Sequence, residues 1–228
     1  MRTNTLIVTC ALAVACTHPA PPSSVSTSPA INTVDSAVAP DSIARRLLVD
    51  LHSLDSNFII DARYATANNF TGAPIDGYGS NRAMLRREAA AALVRVEQRL
   101  ARDGLTLRIF DGYRPVRATL GMVAWTTRTH REDLLRDGYI ASRSRHNLGL
   151  AIDLTLADRK TGVPLEMGTP FDSFSADAHT ANATGVAAAN RARLNAAMTT
   201  EGFTNYDQEW WHFTFQVPHE LRFDLPID

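Results

Sequence analysis

The chain has 228 residues, 45% of them hydrophobic and 21% charged, with a formal net charge of −1. That length suits one domain plus appendages, and the apolar content excludes disorder through most of the chain. The near-neutral balance excludes a strongly basic nucleic-acid binder, and no apolar run approaches the roughly 18 residues that span a bilayer.

The N-terminus reads as an export signal. Arg2 is a minimal positive region, Leu6 to Ala15 form an apolar stretch, and Ala13-Val14-Ala15 fits a small-x-small cleavage site. Cys16 follows at once, and Leu12-Ala13-Val14-Ala15-Cys16 resembles a lipobox with its Leu one position early. Two readings stay open: lipidation of Cys16, or ordinary cleavage leaving an incidental Cys. The domain plan is a signal peptide over 1–15, a Pro/Ser-rich tether over 16–41 and a folded domain over 42–228. With Pro19, Pro21, Pro22, Pro29 and Pro40 and no aromatic residue, the tether cannot bury enough surface to fold. An exported protein in the periplasm or cell envelope, tethered through Cys16, is the expectation.

Within 42–228, Phe58-Ile59-Ile60 is a short apolar run. Asn81 to Arg102 reads as a helix with Leu85, Ala89, Leu93 and Val96 on one face. Asp103-Gly104 stops it, and Leu105 to Phe110 alternates as a strand. A helix starts with Pro115 at its first position and runs to about Trp125. Gly149 to Leu156 reads as a strand, Ala187 to Thr200 as a helix and His212 to Val217 as a closing strand. Strands scattered among helices point to a single α+β domain with a central antiparallel sheet flanked by helices.

No Cys follows Cys16, so a transition-metal site in the domain must use His, Asp and Glu. His146 precedes a Gly-containing turn, and Asp153 lies in the strand behind it. There Leu150, Ile152, Leu154 and Leu156 share one face, while Ala151, Asp153 and Thr155 share the other. On its own this is a weak signal: Asp153 reads as half of a metal site, or, more simply, as an acceptor of backbone hydrogen bonds. His212 opens the last strand on its polar side. Glu209, three residues earlier, reaches the same site only if the chain turns or bulges at Trp210-Trp211. The two Trp flank a cavity or pack a core. Two His and one carboxylate leave a fourth zinc position open, with a second carboxylate as the usual base.

Ser144-x-His146-x-x-Gly149-x-Ala151-x-Asp153 followed by Glu209-x-x-His212 resembles the signature of the zinc D-alanyl-D-alanine dipeptidases. These belong to the wider group of zinc D,D-peptidases, which includes D,D-carboxypeptidases, and are best known from vancomycin resistance. Tyr64-Ala65-Thr66, Asn69 to Gly72, Asp111-Gly112-Tyr113-Arg114-Pro115 and Met167 to Phe174 extend the resemblance over most of 50–217. The last block and Glu-Trp-Trp-His favour the dipeptidase branch. The signal and tether depart from the cytoplasmic members.

The resemblance implies a zinc D,D-peptidase-like fold and one zinc per chain, held by His146, Asp153 and His212. Glu209 would be the general base, and Arg114 would stabilise the oxyanion. Ser144 is the candidate for the substrate carboxylate, and Asp172 for the ammonium or for support of the site. The expected substrate is a small D,D-dipeptide; no nucleic acid is expected as a partner. The rival readings are a D,D-carboxypeptidase on peptidoglycan stems and a non-catalytic peptidoglycan-binding lipoprotein. Surface or hydrogen-bonded roles are expected for His18, His52, His130, His179 and His219, and solvated side chains for Arg143 and Arg145.

Overall fold

Five strands form the central sheet of the computed structural model, which describes Met1 and residues 37–228. The expected signal peptide apart from Met1, Cys16 and most of the expected tether lie outside the described residues. In chain order the elements are α1 (Asp41–Leu47), β1 (Leu48–Asp50), α2 (Leu51–Leu54), β2 (Ile59–Ile60), β3 (Met84–Arg86) and α3 (Arg87–Ala101). They continue with β4 (Leu105–Asp111), α4 (Val116–Arg128), α5 (Asp133–Arg136), β5 (Ala151–Asp158), α6 (Gly185–Thr200), β6 (Thr204–Asn205) and β7 (His212–Thr214). The sheet order is β2-β4-β5-β7-β6, and β1 pairs with β3 in a separate ribbon.

The α+β expectation holds, with one correction. The central sheet is mixed, because β2 runs parallel to β4 while the other pairs are antiparallel. The expected helix over Asn81–Arg102 starts only at Arg87. Met84–Arg86 instead pairs antiparallel with β1, and the Arg86 N–H donates to the Gly149 carbonyl at 2.8 Å. Long-range pairing overrides a locally helical composition there. The closing strand ends at Thr214 rather than Val217. Pro115 stands just ahead of α4, not inside it. Among the described residues, Val38 bridges to Arg222 and the Ala39 N–H donates to the Arg222 carbonyl at 2.8 Å, ahead of the expected start at Ser42.

The core follows from amphipathic faces. Leu85, Ala89, Leu93 and Val96 are fully buried, against Leu150, Ile152, Leu154 and Leu156 of the β5 segment and Leu194 and Met198 of α6. Burying those β5 side chains fixes the strand's register and directs Ala151, Asp153 and Thr155 to the opposite side. A second cluster joins α4 to the C-terminal segment through Tyr113, Ala118, Met122, Phe223 and Leu225.

Candidate metal centre and its cavity

Three neighbouring strands set the position of the site. Asp111 of β4, Asp153 of β5 and His212 of β7 are successive cross-strand partners, with a register shift between Ile109 and Asp111. Directly paired residues on antiparallel strands project to the same face, so the pairing alone gathers two acids and an imidazole.

His146 arrives from a 3₁₀ turn over Arg145–Leu148. The Ser144 side chain caps that turn by accepting from the His146 N–H at 3.2 Å. Gly149 ends it at φ 65°, a left-handed conformation that favours glycine, and an added Cβ would lie 2.6 Å from Leu48 Cδ2, which would have to shift. Asn147 is buried and donates to the Arg114 carbonyl at 3.0 Å and to Thr119 Oγ1 at 2.9 Å, joining this turn to the start of α4.

The orientation of the His146 ring is set from behind. Its Nδ1 lies 2.6 Å from the Gly112 carbonyl, an acceptor, so Nδ1 carries the hydrogen and Nε2 presents a lone pair. Gly112 itself passes close to Met84; a Cβ there would lie 2.5 Å from the Met84 carbonyl oxygen. His146 Nε2 stands 3.2 Å from His212 Nδ1 and 3.4 Å from Asp153 Oδ2, and His212 Nδ1 stands 2.8 Å from Asp153 Oδ1. Among the described residues, these three offer ligand atoms that all lie within 4.8 Å of one another. Two imidazole nitrogens and a carboxylate converging from different elements fit a divalent cation of the zinc type.

Glu209 reaches the same place because the chain turns rather than continuing as a strand. The His212 N–H donates to the Glu209 carbonyl at 3.2 Å, closing a turn through Trp210-Trp211. Glu209 Oε2 then lies 3.9 Å from His212 Nδ1. Arg114 is held by Asp111, which accepts from its Nε at 2.9 Å and lies 2.8 Å from Nη2. The Tyr78 hydroxyl donates to the other Asp111 oxygen at 2.6 Å. This leaves Arg114 with Nη2 3.8 Å from Asp153 and its guanidinium over the Tyr64 ring at 5.1 Å. Asp172 sits at φ 60°, a left-handed conformation that Asp tolerates better than most residues. It accepts from the Tyr64 hydroxyl at 3.1 Å.

Four carboxylates thus surround one guanidinium, and the charge surplus appears in the acidities. Burial, then repulsion by Asp153 and Asp172, pushes the Glu209 carboxyl well above its ordinary value. Burial and then Asp153 push Asp172 up to about 8. Burial also raises Asp111, against the pull of Arg114. For Asp153 burial opposes ionisation, but His146 and His212 hold it well below the usual range. Burial pulls the His212 imidazole below its ordinary value, against the opposing effect of Asp153. A dication among the ligands and a cationic group near Asp172 would each relieve this surplus.

A cavity of about 440 Å³ opens onto the centre. Arg114, Ser144, His146, Asp153, Asp172, Glu209 and His212 all line it, so the structure brings the sequence-derived set together. Trp211 forms part of its wall and packs on Phe171, while Trp210 is buried behind it. Asp111, Tyr64 and Tyr78 escaped sequence reasoning as individual residues. An acid three positions before a recognised Arg, at the end of an apolar strand, was the available signal for Asp111. Arg145 departs from expectation: it donates to the Phe215 carbonyl at 2.9 Å and to Glu220 at 2.8 Å, and so clamps the exit of β7. Arg143 is exposed and lines the cavity. His179 stands outside the cavity wall, 3.2 Å from the Tyr139 hydroxyl.

A family model described as D-ala-D-ala dipeptidase matches residues 45–221. The D-alanyl-D-alanine dipeptidase of Enterococcus faecium is 38% identical, over 73% of this chain and 91% of its own length. The one from Streptomyces coelicolor is 37% identical over 73% and 91%, and the one from Escherichia coli is 34% identical over 79% and 90%.

Proposed function

The chain belongs to the D-ala-D-ala dipeptidase family, and from that premise we propose that it hydrolyses free D-alanyl-D-alanine with one zinc ion held by His146, Asp153 and His212. The observation that carries the reading is the convergence of those three side chains beside Glu209 and Arg114 in one cavity. When bound, zinc supplies Lewis-acid activation of water and of the scissile carbonyl.

The chain's own residues supply the rest. Glu209, buried beside the ligands, removes a proton from the attacking water and delivers it to the leaving amine as the C–N bond breaks. Arg114, fixed by the Asp111 fork, meets negative charge that develops on the carbonyl oxygen. Asp172, backed by the Tyr64 hydroxyl, receives the substrate's ammonium. Ser144 accepts a backbone N–H with its oxygen and retains a hydroxyl hydrogen for the substrate carboxylate. The trimming of peptidoglycan stems is the competing activity, and the need to place a free ammonium at Asp172 argues against it.

The test compares zinc-loaded protein on D-Ala-D-Ala, on its N-acetylated form and on a stem pentapeptide. Turnover of the free dipeptide alone is expected. An equal kcat/KM on the N-acetylated compound would favour the carboxypeptidase reading.

The protein is further read as exported and lipid-anchored at Cys16, on the strength of the apolar stretch, the small residues before Cys16 and the Pro/Ser tether after it. Fractionation of cells expressing wild type and Cys16→Ser tests this. A membrane-bound wild type and a released variant are expected; two equally released proteins would contradict the anchor.

A further inference from the structure

Arg191 projects from α6 into the interior and is almost fully buried, yet it takes no part in the chemistry described above. Its three donor nitrogens go to main-chain carbonyls: Nε to Met167 at 2.7 Å, Nη1 to His179 at 2.7 Å and Nη2 to Asp177 at 3.0 Å. Its guanidinium lies 5.9 Å over the ring of Trp210, the residue next to Glu209. The Trp210 indole in turn donates to Thr169 Oγ1 at 2.9 Å.

Those acceptors bracket the loop that carries Asp172, which stands midway between Met167 and Asp177. The centre of the loop is held separately, by Phe171 stacked on Phe110 at 4.7 Å and by Tyr64 on Asp172. The N-terminal flank is also tied to α6 by Asn190 Nδ2, which donates to the Glu166 carbonyl at 2.8 Å, and the C-terminal flank accepts the Trp210 N–H at the Ala178 carbonyl at 3.1 Å; Arg191 joins both flanks through one side chain. A planar fork reaching three carbonyls in fixed directions makes a rigid brace, which a lysine cannot reproduce.

We propose that Arg191 is a positioning residue for substrate recognition. By bracing both flanks of the Met167–His179 loop and the Trp210 ring, it sets the placement of Asp172 relative to Glu209 and the metal ligands. The inference rests on the reading of Asp172 as the acceptor of the substrate's ammonium. The brace acts on the position of a recognition group, so its loss falls on KM and on discrimination between free and N-acylated substrate. Misplacement of a bound group by about 1 Å is worth up to about 100-fold.

The experiment uses full-length zinc-loaded protein carrying Arg191→Lys or Arg191→Gln, with kinetics on D-Ala-D-Ala and on N-acetyl-D-Ala-D-Ala. KM for the free dipeptide is expected to rise about 10–100-fold while kcat changes far less. The preference for the free amine should shrink with it. Amide hydrogen exchange should quicken over 167–179 while α6 stays protected. A folded variant with a lower melting temperature but wild-type KM, preference and exchange in the loop would overturn the proposal. Should Arg191→Gln fail to fold, Arg191→Lys, which keeps charge and stem, carries the same comparison. If the wild-type protein does not hydrolyse D-Ala-D-Ala, the functional reading fails, and loop exchange alone then decides whether Arg191 is the brace.

Discussion

Asp153 and His212 face each other directly across β5 and β7, and the Asp153 Oδ1 to His212 Nδ1 distance is 2.8 Å. This pairing makes the centre a property of the sheet rather than of a loop. His146, delivered by a capped and glycine-ended 3₁₀ turn, completes it at 3.2 Å from His212. His146→Ala and His212→Ala should each lose the bound metal, read by elemental analysis of purified protein. One full equivalent in both variants would refute the ligand set. Chelation of the wild-type protein should lower its melting temperature, because a ligand at 100 times its Kd stabilises by about 2.7 kcal/mol.

Arg114→Ala should retain the metal and lose about 10²–10³-fold in kcat, the usual effect of removing one oxyanion donor. Arg114→Lys should not restore it. Asp111 grips Nε and Nη2 together, and an ammonium cannot occupy that fork while still facing the cavity. Steady-state kinetics on the three proteins checks this.

Asp172 should make the metal-free protein lose stability with rising pH. Its carboxyl is raised from 3.8 to about 8, by burial first and Asp153 second. Between those values the folded protein keeps a proton that the unfolded chain has released, so unfolding becomes easier as pH rises. The contribution is fully present below 3.8 and is gone above about 8. Asp172→Asn should flatten the dependence of melting temperature on pH across that window.

Glu97 supports the fold away from the site. It is buried in α3 and accepts from Thr106 Oγ1 at 2.8 Å, the Leu107 N–H at 2.9 Å and Arg159 at 2.6 Å. Glu97→Ala leaves the Leu107 N–H and Arg159 without that acceptor, while Thr106 Oγ1 keeps the Asn57 carbonyl at 2.9 Å, and should cost about 2–3 kcal/mol, with Arg159 partly solvated. Chemical denaturation measures it, and turnover per folded molecule should be unchanged.

The local spacing of His146, Asp153, Glu209 and His212 marks them as a candidate set in the sequence, but their roles, and the places of Arg114, Ser144 and Asp172, came from the family resemblance. His146, Gly149 and Asp153 lie on one turn and strand, and Glu209 and His212 on one turn. The mixed sheet was not legible. β2 has two residues, Ile59 and Ile60, too few for any period, and its parallel partner β4 is remote in sequence. The ribbon of β1 and β3 was hidden for another reason. Met84-Leu85-Arg86 sits against an Ala-rich helix and shares its composition, and only pairing with Leu48–Asp50 makes it a strand. Asp111 and Tyr78 were hidden because their interaction, at 2.6 Å, joins segments that nothing in the local pattern connects.

Metal content, circular dichroism and turnover of Glu209→Gln, measured in parallel with wild type, test the central claim most directly. Gln preserves volume and hydrogen bonding but cannot take a proton from water, and the three ligands remain. A full metal equivalent, an unchanged spectrum and turnover of D-Ala-D-Ala reduced by about 10⁴-fold, at the upper end of general-base effects, are expected. Wild-type turnover, or loss of metal together with activity, would contradict the claim.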